Sequence, residues 1–287
     1  MDSIWINAPA KINIGLDVLR RREDGYHEVK MIMQSIRLFD RLTLTKTSEP
    51  GIHLHTNLRF LPVNEDNLVY RSAKLLMDEF GIQEGVDIRL DKRIPVAAGM
   101  AGGSTDAASC MLAMNDLFQL GLSKRSLMKR GVTLGADIPY CILKGTALSE
   151  GIGEKLSTIP ETPDCYVLIA KPSFHVSTKF VYTNLVLDEH TEHPDIDGMI
   201  QSMKNNDLTG LCNQMANILE TVTIPAHPEI ADIKKCMMEN GALGSLMSGS
   251  GPTVFGIFDD LDKAVSAKEK CRSLPYKCFV FVTDLYR

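Results

Sequence analysis

The chain opens on alternating apolar and polar positions. Residues 4–8, 12–19, 29–36 and 42–45 each place apolar side chains at every second position, which predicts four short strands in a β-meander. Glu23, Asp24 and Gly25 supply turn chemistry after the second. The period then changes to that of a helix. Asp66 reads as the cap of a segment with Val69, Ala73, Leu76 and Phe80 on one face, ending at Gly81, and 86–90 reads as a strand. Ser104 reads as the cap of a further helix, on which Ala107, Cys110, Met111, Met114 and Phe118 recur at helical spacing. Residues 123–134 look helical and 147–149 extended.

A stretch rich in Pro, Thr and Ser at 157–163 predicts a boundary between domains at 1–157 and 158–287. Beyond it, 166–170 reads as a strand, 208–219 and 228–240 as helices, 243–247 and 254–258 as strands, 262–272 as a helix and 279–282 as a last strand. That order is the signature of a split βαβ, ferredoxin-like unit. The fold class expected is therefore α+β.

Composition narrows the class without naming a function. With 44% hydrophobic and 23% charged residues, the chain resembles globular enzymes, and no apolar run is long enough to span a bilayer. The net charge of -5 comes from acidic and basic residues mixed along the chain, so no electrostatic footprint for nucleic acid is expected. The 7 cysteines are scattered and odd in number, which fits free thiols in a reducing compartment. The amino terminus lacks a signal or transit pattern, and a cytoplasmic location is the default expectation. Composition leaves monomer and homodimer equally open.

Two glycine-rich segments carry the candidate chemistry. Pro-Val-Ala-Ala-Gly-Met-Ala-Gly-Gly-Ser-Thr-Asp, residues 95–106, lies between a strand and a strongly periodic helix. Gly99, Gly102 and Gly103 allow close backbone approach, the helix start offers a partial positive charge, and Ser104 and Thr105 add hydroxyl donors, so phosphate oxygens match the geometry. The pattern is neither a P-loop nor a dinucleotide fingerprint, and a tight strand-to-helix turn would use the same glycines. The second segment, Met-Ser-Gly-Ser-Gly-Pro-Thr at 247–253, exceeds what a hairpin turn needs. Packing against the first loop or a ligand is the preferred reading, and a plain hairpin the other. Asp106 reads as an acid serving the helix dipole. Lys144 and Lys171 read as solvated charges, and the histidines other than His27 show no spacing for a metal or a catalytic triad.

Taken with Ala-Pro-Ala-Lys-Ile-Asn-Ile-Gly-Leu at 8–16, these two segments resemble the three ordered motifs of the GHMP kinases (galacto-, homoserine, mevalonate and phosphomevalonate kinases). The likeness runs from about residue 8 to about 256. It implies a two-domain fold, with an N-terminal ribosomal-protein-S5-like β/α domain, a C-terminal ferredoxin-like α+β domain and a substrate cleft between them. It also implies ATP as co-substrate with Mg2+. By the resemblance, ATP binding falls to Pro95, Gly99, Met100, Ala101, Gly102, Gly103, Ser104 and Thr105, with Asn67 and Lys92 on the adenine side. Where the family usually has Gly-Leu-Gly-Gly-Gly-Ser-Ser, this chain places Met100, Ala101 and Thr105. Ala101 is expected to avoid positive φ. The third motif contributes Ser248, Gly249, Ser250 and Gly251.

The matching aspartate in Gly-Ala-Asp-Ile-Pro at 135–139 is Asp137, which the resemblance makes the general base for a substrate hydroxyl. Lys11, alone in an apolar strand, would ordinarily be a snorkelling residue. The family places the matching lysine beside that aspartate and the accepting hydroxyl. Tyr26 and His27 follow a turn that needs neither, and an aromatic beside an imidazole suits a nucleobase. A surface aromatic with a solvated histidine is the alternative. Within the family, Arg-Glu-Asp-Gly-Tyr-His-Glu at 22–28 is similar to the branch whose acceptor is a cytidine diphosphate sugar alcohol. On that likeness Tyr26, His27 and Tyr182 hold the base, and Asn13, Thr178 and Asp137 approach the sugar-alcohol end. Two rivals stand beside this reading: another small-molecule kinase of the family, of homoserine or mevalonate type or the related decarboxylase, and a silent ligand-binding regulator.

Overall fold

A computed structural model describes residues 2–287. The long strands β1 (Ser3–Arg21) and β2 (His27–Thr47) replace the four short strands expected from the alternation. The gaps at 9–11 and 37–41 are not breaks: Lys11 and Asp40, which lie in them, are buried within continuous strands.

The chain forms two compact units, each assembled from several segments. Residues up to 10, 38–96 and 101–144 form the first, and 11–37, 97–100 and 145–287 the second. In the first, β3 (Ile52–Thr56) runs parallel to β4 (Gly85–Asp91), and β4 runs antiparallel to β2 with Arg41 opposite Asp91 and Thr47 opposite Gly85. Helix α1 (Leu68–Phe80) starts at Asn67 rather than Asp66, because the Asn67 side chain accepts the Val69 N–H, and it ends at Gly81 in the left-handed region. It packs on α2 (Gly102–Leu117) through Val69, Ala73 and Leu76, all buried. Short helices α3 (Lys124–Gly131) and α4 (Ile138–Leu143) complete this unit, and α4 occupies a stretch the sequence pattern left as loop.

In the second unit, β5 (Thr146–Gly151) pairs antiparallel with β2 and with β6 (Lys155–Thr158). Strand β7 (Tyr166–Pro172) is followed by α5 (Thr178–Asn184), α6 (Ile196–Lys204), α7 (Leu208–Gln214), α8 (Glu220–Ala226) and α9 (Glu229–Glu239). Then come β8 (Gly244–Met247), β9 (Val254–Phe258), α10 (Leu261–Arg272) and β10 (Cys278–Asp284). The sheet order β10-β7-β9-β8, antiparallel throughout, is the split βαβ arrangement expected from the element order. Helices α9 and α10 pack on it.

A buried amide ties this unit's pieces together. Gln34 is fully buried in β2. Its Oε1 accepts from the hydroxyls of Thr146 (2.6 Å) and Thr162 (2.8 Å), and its Nε2 donates to the carbonyls of Ser35 (2.8 Å) and Tyr286 (3.2 Å). Gln34→Leu removes every one of these bonds and leaves two hydroxyls without their acceptor. It is expected to lower unfolding free energy by about 3 kcal/mol, read from the denaturant midpoint at unchanged slope. A loss below about 1 kcal/mol would show that the node does not hold these segments.

Candidate active site

The loop before α2 is strained at two alanines. Ala97 and Ala101 both lie in the left-handed region, with φ of 51° and 55°, against the expectation for Ala101. Each costs about 1 kcal/mol for a residue with a Cβ. Ala101, not Ser104, is the N-cap of α2, and no side chain among the described residues caps the helix. Ser104 therefore sits inside the first turn, where the backbone N–H groups have no intrahelical acceptor. A Cβ on Gly103 would meet only Leu68, at 3.6 Å, whereas one on Gly102 would crowd the Lys92 ammonium at 3.3 Å. Gly102 is closely packed within the protein; Gly103 leaves room above the helix start. Thr105 is fully buried and its hydroxyl has no partner among the described residues, so it is not presented at the surface as Ser104 is.

In the second unit, the preceding residues dock on the turn between β8 and β9. The Ser248 hydroxyl donates to the Gly99 carbonyl (3.0 Å), and a Cβ on Gly99, at φ 71°, would lie 2.2 Å from the Ser248 carbonyl oxygen. Gly249 is less tightly placed: a Cβ there would lie 3.2 Å from the Gly99 oxygen and 3.5 Å from Asn13 Oδ1, and its φ of 59° is left-handed. The turn is a hairpin connection and a docking surface at once. Asn217 braces it by donating to the carbonyls of Met247 and Gly249, both at 2.8 Å. Ser250 and Thr178 share a hydroxyl hydrogen bond of 2.9 Å, which brings the start of α5 to the same place.

Lys11 belongs to this cluster. It is 5% exposed, which rules out the snorkelling reading, and its ammonium donates to Asn13 Oδ1 at 2.6 Å. Residues two apart on a strand share a face, so the lysine and the amide are presented together. The Lys11 N–H also donates to the Met100 carbonyl (3.2 Å), which joins β1 to the loop before α2.

His27 and Tyr182 approach to 5.0 Å between ring centroids at 44°. Burial, and then the charge of Arg21, lowers the His27 pKa, so the ring is neutral at neutral pH and offers one donor and one acceptor. Tyr26, next to His27 in sequence, is 60% exposed.

Asn67 and Lys92 have their side chains engaged within the protein. Asn67 caps α1 and donates to the Pro62 carbonyl at 2.8 Å. The Lys92 ammonium lies between the carboxylates of Asp40 and Asp106. Asp106 is therefore not a solvated acid at a helix end. Lys171 is not a surface charge either, being buried with its ammonium on the Phe174 carbonyl. Asp137 is the N-cap residue of α4, yet its carboxylate makes no cap hydrogen bond, and the buried Pro139 fixes the backbone beside it. Asp40 and Asn217 were missed by pattern reading. Asp40 carried the same signal as Lys11, a charge inside an apolar strand; Asn217 carried none.

Residues 67–145 match the model of the GHMP kinases N terminal domain, and 199–277 that of GHMP kinases C terminal. The chain belongs to the GHMP kinase family. It is 54% identical over 286 residues to 4-diphosphocytidyl-2-C-methyl-D-erythritol kinase of Lachnoclostridium phytofermentans, covering 100% of this chain and 98% of that one. It is 50% identical to the protein of the same name from Lachnospira eligens, covering 100% and 99%. A crystal structure of 4-(cytidine 5'-diphospho)-2C-methyl-D-erythritol kinase superposes with a TM-score of 0.84 at 32% identity, over 99% of this chain and 100% of that one. Homoserine kinase from Cytophaga hutchinsonii, at TM-score 0.81 and 20% identity over 99% and 95%, shares the fold.

Gly99→Ala is expected to lift the loop off the β8–β9 turn, since the methyl overlaps a backbone oxygen and the φ is left-handed. The cost is on the order of 3 kcal/mol, with weakened nucleotide binding. Thermal unfolding and ADP titration check this; a variant as stable and as tight as wild type would contradict the docking.

Proposed function

We propose that this chain transfers the γ-phosphoryl group of ATP to the 2-hydroxyl of 4-diphosphocytidyl-2-C-methyl-D-erythritol, in non-mevalonate synthesis of isoprenoid precursors. The observation that carries the acceptor is the paired His27 and Tyr182, a neutral imidazole beside an aromatic face. A cytosine needs a stacking surface and an edge reader. A small hydroxy acid would instead need a basic clamp for its carboxylate. Relatives at about half identity along the whole chain carry the name of this activity, which supports the reading.

Phosphoryl transfer asks for an oriented nucleophile, neutralised charge and a metal-bound nucleotide. Asp137 takes the proton of the accepting hydroxyl, its carboxylate left uncommitted by the helix it precedes. Lys11, held by Asn13, supplies positive charge to the alkoxide and the transferring group. The amides of the first turn of α2 and the Ser104 hydroxyl receive the phosphate oxygens. Thr178 and Asn13 orient the sugar-alcohol end, and Tyr26 covers the base from the strand turn. A Mg2+ ion bound with ATP would neutralise phosphate charge, with the nucleotide rather than a protein ligand cluster as its chief holder.

Asp137→Asn is expected to lower kcat by on the order of 10²-fold or more while ADP binding stays near wild type. Unchanged turnover would remove Asp137 as the base. In a coupled ADP-release assay, the cytidine diphosphate acceptor is expected to be phosphorylated in preference to homoserine, mevalonate and galactose. Preference for any of those three would overturn the acceptor assignment.

A further inference from the structure

Three buried charges meet in the first unit where the phosphate loop begins. Asp40, on β2, is fully buried; Lys92, just after β4, is 8% exposed; Asp106, in α2, is 2% exposed. The Lys92 ammonium donates to Asp40 Oδ2 and to Asp106 Oδ2, the latter at 2.6 Å. The other oxygen of Asp40 accepts the backbone N–H groups of Arg93 and Ile94, the latter at 2.8 Å, which are the last residues before the loop. The cluster thus grips the chain entering the loop and the helix leaving it. Gly102 is shaped to it, since any Cβ there would crowd the ammonium.

The count of charges does not balance. Two carboxylates and one ammonium leave an excess negative charge, buried, beside a loop built for a polyanion. Such a charge is costly to bury and opposes the ligand. The two carboxyls are not equivalent. Both oxygens of Asp40 are engaged by N–H donors. Asp106 Oδ1 is buried with no hydrogen-bond partner among the described residues.

We propose that Lys92, Asp40 and Asp106 are positioning residues for the phosphate loop, locking its entry to the start of α2, and that the cluster carries one proton, on Asp106 Oδ1. With that proton the cluster is electrically neutral and presents no charge to a triphosphate. The direction of the Asp106 pKa agrees, raised well above the carboxylate range, first by burial and further by the Asp40 charge on β2, against the opposing charge of Lys92. Cys110, one turn further along α2, is itself pushed up to about 12 by burial and contributes no charge at neutral pH. Lys92 in this arrangement acts on nucleotide through the loop rather than by touching it. The inference rests on the kinase reading only for the identity of the anion that the loop receives.

Two measurements test it, neither requiring an acceptor. The first is thermal unfolding against pH for wild type and Asp106→Asn. A carboxyl whose folded pKa is raised contributes stability that is fully present below the unfolded value of about 3.9 and is lost as pH rises toward the folded value. An amide cannot ionise and loses nothing. The Tm of Asp106→Asn relative to wild type is therefore expected to climb between pH 4.5 and 8, by about 3 °C or more. A difference that is flat or falls with pH would overturn the protonated assignment.

The second is ADP affinity by calorimetry. Lys92→Met leaves Asp40 uncompensated and is expected to weaken ADP by about tenfold or more. Lys92→Met combined with Asp40→Asn restores neutrality, keeps an oxygen for the Arg93 and Ile94 N–H groups, and is expected to recover most of that loss. A folded double variant that binds as weakly as Lys92→Met would mean that Lys92 contacts nucleotide directly. If Lys92→Met does not fold, a folded double variant about tenfold weaker than wild type would equally mean direct contact. If the chain used another acceptor, both measurements would be unaffected.

Discussion

A polyphosphate site at a helix start has to hold N–H donors in place before any acceptor arrives. Those donors repel one another and would otherwise be satisfied by water or by a capping side chain. In this protein no side chain among the described residues caps α2, and the backbone before it adopts left-handed conformations at two alanines. Such a loop persists only where its surroundings over-determine it. The Lys92 cluster grips its flanks within the first unit, and the Ser248 turn grips Gly99 within the second.

The same logic explains the committed polar groups in the interior of this protein. Lys11, Asn13, Gln34 and Asp40 all sit inside long strands and are all buried. Each is matched to a particular partner: Asn13 for Lys11, the threonine hydroxyls for Gln34, Lys92 for Asp40. A buried polar group is costly unless satisfied, so such partners define one arrangement of segments rather than several. In the second unit, one consequence is that a lysine, an asparagine and a serine-rich turn converge.

Much of the architecture was legible from period alone. The helix with Val69, Ala73 and Leu76 on one face, and the strand, helix and strand order after residue 243, appear in the structure where the spacing put them. Asp40 interrupts the alternation because its partners, Lys92, Arg93 and Ile94, lie far away in sequence, so a strand looked broken at 37–41 where it continues. Ser104 looked like a cap because caps are read from side-chain type, whereas here an alanine in a left-handed conformation ends the loop. Helices α5 and α8 escaped because they are short and bury a single residue each, Val181 and Thr223.

The residues themselves determined that a glycine-rich loop precedes a helix, that a lysine and an aspartate stand in places where packing does not want them, and that an aromatic and an imidazole follow a turn. Those are local properties of composition and spacing. Only the tertiary structure decided that Lys92 is spent between two carboxylates, that His27 pairs with Tyr182 while Tyr26 stays in solvent, and that Thr105 is buried while Ser104 is presented. The reason is that a charge or hydroxyl has no fixed role until its partners are known, and here those partners come from segments brought together by the fold alone.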